Sequence, residues 1–324
     1  MTSASTHPDR PLKVGLYLPN GDGYMSSPSL RGWSGILEMA RLAEEVGFDS
    51  IWAADHMIFR FPGDEGETQG RWECWSLLSA IAAVTSRVEI GPLVSCMSFR
   101  NPALLAKMAE TVDEISGGRL LLAVGAGWHA PEYTAFGFPY DHRASRVEEG
   151  FTILRDLIRT GRSSFAGRFE HTDDCELRPR GPRPGGLPLI VGTNGDRLLR
   201  VAASHADGWN TTWVGDPSAI ASLSAAVDRA CDDVGRDPAT LSRSACVYLT
   251  LPDGTGRFAI RSPEEPEPMS PPQIVDTLHR YHQQGLDHVM VWLDPSTPAA
   301  IEAFGAILVQ LDRSLVTVLP PRGS

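Results

Sequence analysis

Three short stretches carry side chains able to do chemistry. The apolar run "GRLLLAVGAGWHAPEYTAFGFP" (Gly118–Pro139) breaks on Gly125 and Gly127, then presents Trp128, His129, Glu132 and Tyr133. A second apolar run, "SIWAADH", ends on Asp55-His56. The third stretch, "GTNGDR" (Gly192–Arg197), follows an apolar run and precedes a helical pattern. Such a turn aims backbone N–H groups from the start of a helix, where the dipole favours an anion such as phosphate. Gly192, Thr193, Asn194 and Gly195 would form that cradle, with positive charge from Arg197 and Arg200; Asp196 suits the helix cap. Imidazoles exchange protons near neutral pH, which makes His56 and His129 candidates for acid–base work. Gly125 and Gly127 would let a ligand approach the backbone closely; the alternative is that they only turn the chain.

Other chemistry-bearing residues have plainer readings. His279 and His282 stand three apart on a helical pattern, but no third ligand is near in sequence, so no metal site is expected. Cys74, Cys96, Cys175, Cys231 and Cys246 are odd in number and contain no Cys-x-x-Cys, which argues against a disulfide framework or a zinc ribbon. Cys96 has no visible activating base and reads as a buried thiol. Arg143 and Arg146 suit either a cofactor contact or a solvated helix face.

The 324-residue chain is 42% hydrophobic, enough for a large core, and its formal net charge of -11 argues against nucleic-acid or membrane-surface partners. No apolar run approaches the roughly 18 residues that span a bilayer. The opening "MTSASTHPDRP" lacks the apolar stretch of a signal peptide. With the cysteine usage, this points to the cytoplasm.

Eight apolar strand patterns alternate with eight helical ones. The strands are "KVGLYLP", "DSIWAADH", "RVEIGPLV", "RLLLAVGAG", "LPLIVG", "ADGWNT", "SRSACVYLTL" and "LDHVMVWL". After each comes a helical pattern, from "GILEMARLAEEVGF" to "PAAIEAFGAILVQL". Strands apolar on both faces, each followed by a helix, predict a parallel α/β fold, specifically a (β/α)8 TIM barrel. The rhythm pauses once, in a long Gly/Pro/Arg-rich insertion between helix four and strand five (Gly161–Gly186), with a small hairpin expected around Ala166-Gly167. One domain is expected over residues 12–315, with a mobile tail at 1–11 and another at 316–324. In a barrel the active site lies at the C-terminal strand ends, where the three stretches fall.

Three segments together carry a resemblance: "SIWAADHMIF", the continuous Thr85–Gly137 stretch, and "LPLIVGTNGDRLLRVAASHADGWNT" (Leu187–Thr211). They resemble the bacterial luciferase-like superfamily of flavin and deazaflavin oxidoreductases, and within it the branch dependent on the deazaflavin F420. The match runs in order from about Val14 to Trp292. It implies that Asp55 and His56 are the catalytic pair, with His56 giving or taking a proton beside the ring and Asp55 supporting the imidazole or the ring edge. It implies that Leu93 and Val94 form a bulge behind the ring, where relatives carry a non-prolyl cis peptide; an ordinary strand end is the alternative. Gly125 and Gly127 would flank the ring, and Gly192–Gly195 with Arg197 would hold the phosphate.

Trp128, His129, Tyr133 and Arg60 would line the substrate side. Trp128 stands where related glucose-6-phosphate dehydrogenases carry an acid, and Arg60 replaces an aromatic, so oxidation of a sugar phosphate is not expected. The expectation is an F420-dependent oxidoreductase moving a hydride to or from a small organic substrate. Arg178, Arg180 and Arg183 are candidates to receive the anionic F420 tail. The alternatives are an FMN-dependent two-component monooxygenase and a non-catalytic flavin-binding barrel. The family also implies a homodimer and a separate enzyme that reduces the cofactor.

Overall fold

The apolar runs become a closed ring of parallel strands in the computed structural model, which describes residues 10–22, 30, 32–61, 68–254 and 267–318. In chain order the elements begin β1 (Lys13–Leu18), α1 (Trp33–Val46), β2 (Ser50–Ala53), β3 (Ile58–Phe59), β4 (Gln69–Gly70) and α2 (Cys74–Val84). They continue β5 (Glu89–Pro92), β6 (Ser95–Cys96), α3 (Pro102–Ser116), β7 (Leu122–Gly125), α4 (Ala130–Phe136) and α5 (Arg143–Thr160). Then come β8 (Arg162–Ala166), β9 (His171–Glu176), β10 (Leu189–Gly192), α6 (Asp196–His205) and β11 (Gly208–Thr212). The last are α7 (Ala219–Asp233), β12 (Ser242–Thr250), α8 (Pro271–Gln283), β13 (His288–Asp294) and α9 (Pro298–Val318).

The main sheet has the order β5-β2-β1-β13-β12-β11-β10-β7-β6, and every pairing in it is parallel. Its two ends, β5 and β6, are consecutive in sequence and separated only by Leu93-Val94. They are two halves of one strand, so the nine segments amount to eight strands, and a parallel bridge between Ile90 and Leu120 helps close the ring. This is the expected (β/α)8 barrel. The expected hairpin also forms: β8 pairs antiparallel with β9 across a turn containing Gly167. The extra helix is α4, a two-turn element in the loop after β7.

Local chemistry accounts for the helix positions. α3 shows it fully: the Asn101 side chain accepts from the Ala103 and Leu104 amides, Pro102 opens the helix, and Gly117 ends it at φ 70. Two cores form. One fills the barrel with Tyr17, Trp52, Ile190, Cys246, Met290 and Trp292. The other lies between the strands and the helical ring. Trp52 is fully buried; truncating such a side chain to Ala costs about 3–5 kcal/mol.

The tails expected at 1–11 and 316–324 fall mostly outside the described residues. Arg10 is described, and its guanidinium joins Asp49 (2.7 Å) and Asp312 (2.6 Å), tying the first strand to the last helix.

Candidate active site

A cleft opens at the C-terminal ends of the strands. His56, Val94, Gly127, Trp128, Asn194 and Trp213 are among the residues that line it, so all three chemistry-bearing stretches meet there.

Asp55 and His56 are adjacent in sequence but do different work. The Asp55 carboxylate is buried and accepts from Arg100 (2.5 and 3.0 Å), the Cys96 amide (2.8 Å) and the Ser95 hydroxyl (3.0 Å). These bonds commit it to β6 and to Arg100, whose guanidinium it holds firmly protonated against desolvation. No bond joins Asp55 to the His56 ring, which corrects the first of the two roles expected of Asp55, support of the imidazole; the second, a bond to the edge of a bound ring, is a separate expectation. The imidazole is supported by Glu132 on α4. The Glu132 Oε1 lies 2.8 Å from His56 Nδ1, and its Oε2 accepts the Met57 N–H at 2.9 Å. The Glu132 side chain is completely buried, that of His56 16% exposed. His56 Nε2 has no protein partner among the described residues.

The rim residues divide. Trp128 is 45% exposed and meets the His56 ring edge-on at 5.6 Å. It stacks with Phe59 and Phe61 in a near-parallel tier. His129 instead turns inward. It is buried, its Nε2 accepts the Arg60 backbone N–H at 3.0 Å, and burial lowers its pKa. The Arg60 side chain bonds Thr68 and is exposed. Tyr133 lies beneath the loop: its hydroxyl donates to the Ala126 carbonyl at 2.8 Å and sits 3.0 Å from Cys96 Sγ. Burial pushes the Tyr133 phenol well up and the Cys96 thiol up to about 12, so both stay protonated at neutral pH. Of the four residues expected to line the substrate side, Trp128 lines the cleft; His129 and Tyr133 bond within the loops around it, and the Arg60 side chain bonds Thr68.

The glycines also divide. Gly127 has φ 68, and a Cβ there would fall 2.0 Å from the Tyr133 hydroxyl. The Leu93-Val94 peptide is cis, which resolves the two readings of that strand end. Val94 lies against two other glycines: a Cβ on Gly125 would come 2.7 Å from Val94 Cγ2, and one on Gly192 2.9 Å from Val94 Cγ1. Those two glycines make room for a side chain of the barrel itself. Gly195 differs, since a Cβ there would meet nothing nearer than Thr193 Oγ1 at 3.9 Å.

The turn before α6 is organised by its neighbours. The Trp209 indole donates to the Thr193 carbonyl (2.7 Å), and the Thr211 hydroxyl donates to Asn194 Oδ1 (2.8 Å). Gly195 offers no side-chain cap, so the first amides of α6 remain open to an anion. Arg197 does not add to them, because it is ion-paired with Glu148 on α5. Arg178, Arg180 and Arg183 are also engaged: with Glu176, with Glu110, and with Asp113 and the Leu120 carbonyl. Arg183 therefore lies where β7 begins, at the end of the barrel opposite the cleft, which overturns its expected role toward a cofactor tail. His279 bonds Ser314 and His282 the Leu286 carbonyl.

Sequence reasoning assigned no role to Glu132, Arg100 or Thr211. Glu132 partners a residue 76 positions away, and Arg100 one 45 away. The available signal was an acid in the first turn of a short helix beside a candidate base.

The family model described as luciferase-like monooxygenase matches residues 12–253. The chain belongs to this family. Members of the luciferase-like superfamily are oxidoreductases, and the family implies a flavin or deazaflavin cofactor. Among its curated relatives, pyrimidine monooxygenase RutA of Yersinia enterocolitica is 30% identical over 264 residues, covering 76% of this chain and 69% of the relative. RutA of Caulobacter segnis is 29% identical over 269 residues, covering 77% and 72%. An F420-dependent secondary alcohol dehydrogenase, solved with an F420-acetone adduct, shares the luciferase-like fold at TM-score 0.76 and 20% identity, over 93% of this chain and 99% of that one. Riboflavin lyase RcaE, solved with modified FMN and riboflavin, shares it at TM-score 0.75 and 14% identity, over 97% and 94%. No helix among the described residues is long and apolar enough to cross a membrane.

Proposed function

We propose that the chain is a monooxygenase acting on a small organic substrate with molecular oxygen and reduced FMN delivered by a separate flavin-reducing enzyme. The observation that carries the choice of cofactor is the fate of the arginines. Arg197 is neutralised by Glu148, and Arg178, Arg180 and Arg183 are bound away from the cleft. What remains at the turn is a set of uncapped amides with Thr193, Asn194 and an open Gly195. That donor set suits one terminal phosphate better than the longer anionic tail of F420. The name carried by the relatives at about 30% identity supports the same reaction class.

The ring would be held in the cleft against Leu93 and Val94, beside Gly125 and Gly127. A reduced flavin held there would supply the two electrons which, with two protons, allow one atom of dioxygen to enter the substrate and the other to leave as water. Trp128 bounds the substrate side and shields it from water, while His56 holds or moves a proton at Nε2. The protein would act as a cytoplasmic homodimer.

Hydride transfer with F420 is the second reading. The Asp55-His56 match favours it, as does a proton carrier beside the cleft, which reduction of a C=N or C=O bond requires. Equilibrium titration of the purified protein with FMN and F420, followed by oxygen uptake with reduced FMN, separates the two. The first reading expects tighter binding of FMN and substrate-dependent oxygen consumption. Tighter binding of F420, with no oxygen consumed, would transfer the assignment to the second.

A further inference from the structure

Glu132, in the first turn of α4, is a fully buried carboxylate whose two oxygens face the His56 ring and the Met57 N–H. Building on the reading of His56 as the proton carrier, we propose that Glu132 is the positioning residue that sets the His56 tautomer. It thereby decides whether the nitrogen facing the cleft accepts or donates a proton.

An ionised carboxylate only accepts hydrogen bonds. Its Oε2 is committed to the Met57 N–H at 2.9 Å, a backbone donor that cannot change its role. Its Oε1 faces His56 Nδ1 at 2.8 Å. In the neutral ring, Nδ1 must therefore carry the hydrogen, which leaves Nε2 bare and able to take a proton. The ring cannot easily swing away, because Phe59 packs against it at 4.4 Å and Trp128 at 5.6 Å. Burial of Glu132 removes water as a competing partner.

The carboxamide isostere should invert this arrangement. In Glu132→Gln the side chain has one acceptor oxygen and one donor amide. The Met57 N–H takes the oxygen, so the amide faces Nδ1, which must then be unprotonated. The hydrogen moves to Nε2, and the cleft meets a donor in place of an acceptor while volume and packing are unchanged.

The test is the ring-nitrogen NMR spectrum of His56 in the cofactor-free protein, recorded above the imidazole titration and assigned by its loss in His56→Ala. The expected result is the Nδ1–H tautomer in the wild type and predominantly Nε2–H in Glu132→Gln. In the variant, kcat should fall by about 10²- to 10⁴-fold, as for a misplaced tautomer or a lost general base, with flavin affinity and KM nearly unchanged. An Nε2–H wild type, or a tautomer that ignores the substitution, would overturn the proposal. If the variant does not fold, the wild-type spectrum decides alone. A tautomer switch in a protein that binds no flavin would sink the proposed function and leave this inference standing; flavin binding with an unmoved tautomer would do the reverse.

Discussion

An imidazole gripped at one nitrogen by a buried acid can offer a reactant only its other nitrogen, and His56 is in that position. His56→Ala should leave flavin affinity nearly intact and lower kcat by about 10²- to 10⁴-fold, the range for a positioned acid or base. A titration and a steady-state profile check this. Recovery of near wild-type turnover at saturating cofactor would reduce His56 to a packing residue. Asp55→Asn has a different expected outcome. Its carboxylate is the main partner of the nearly buried Arg100, so the loss appears in stability, by about 3–5 kcal/mol in denaturant unfolding. A stable Asp55→Asn protein with slow turnover would return Asp55 to the chemistry. The pairing of Glu132 with His56 was not legible in the sequence, because it depends on a loop folding back across the barrel mouth. That His56 stood at the end of a buried strand was legible.

Strands, helices and the insertion hairpin were readable because buried parallel strands are apolar on both faces and each helix carries one apolar stripe. Two features at the element scale were not readable from the residue pattern. The third strand reads as one run, and only the family resemblance pointed to the interruption at Leu93 and Val94 that divides it into β5 and β6. α4 is too short to display a period and, with Ala130-Pro131 following His129 at its start, reads as loop. The turn into α6 was legible as a Gly-rich helix start, and the structure adds which glycine has free space around it. Gly195→Val has φ -93 and open surroundings, so the fold and melting temperature should stay close to wild type. Flavin affinity should fall about tenfold or more, the cost of losing charge-assisted bonds to a phosphate. Unchanged affinity for both FMN and F420 would remove the turn from the phosphate site.

At the scale of the whole molecule, the (β/α)8 architecture was legible from its eightfold alternation, whereas the balance of charges between its two ends was not. Three arginines that looked available in the sequence turn out to be paired with Glu176, Glu110 and Asp113, outside the lining of the cleft. For the proposed homodimer, the outer face of α3 exposes Leu104 and Ile115, 52% and 46% accessible. Sedimentation at micromolar concentration should give the mass of two chains, and Leu104→Glu with Ile115→Glu should give one. A wild-type monomer would end the proposal.

Val94, wedged against Gly125 and Gly192, has a consequence for how the chain can change over generations. The three positions are free to drift only together. Either glycine can gain a methyl group only in a background where Val94 has already become smaller. Gly125→Ala alone should therefore lower the melting temperature, and Val94→Ala should restore much of it, a sign reversal that independent sites do not produce. In a set of homologous sequences the same constraint would emerge as covariation among three residues that lie far apart in the chain.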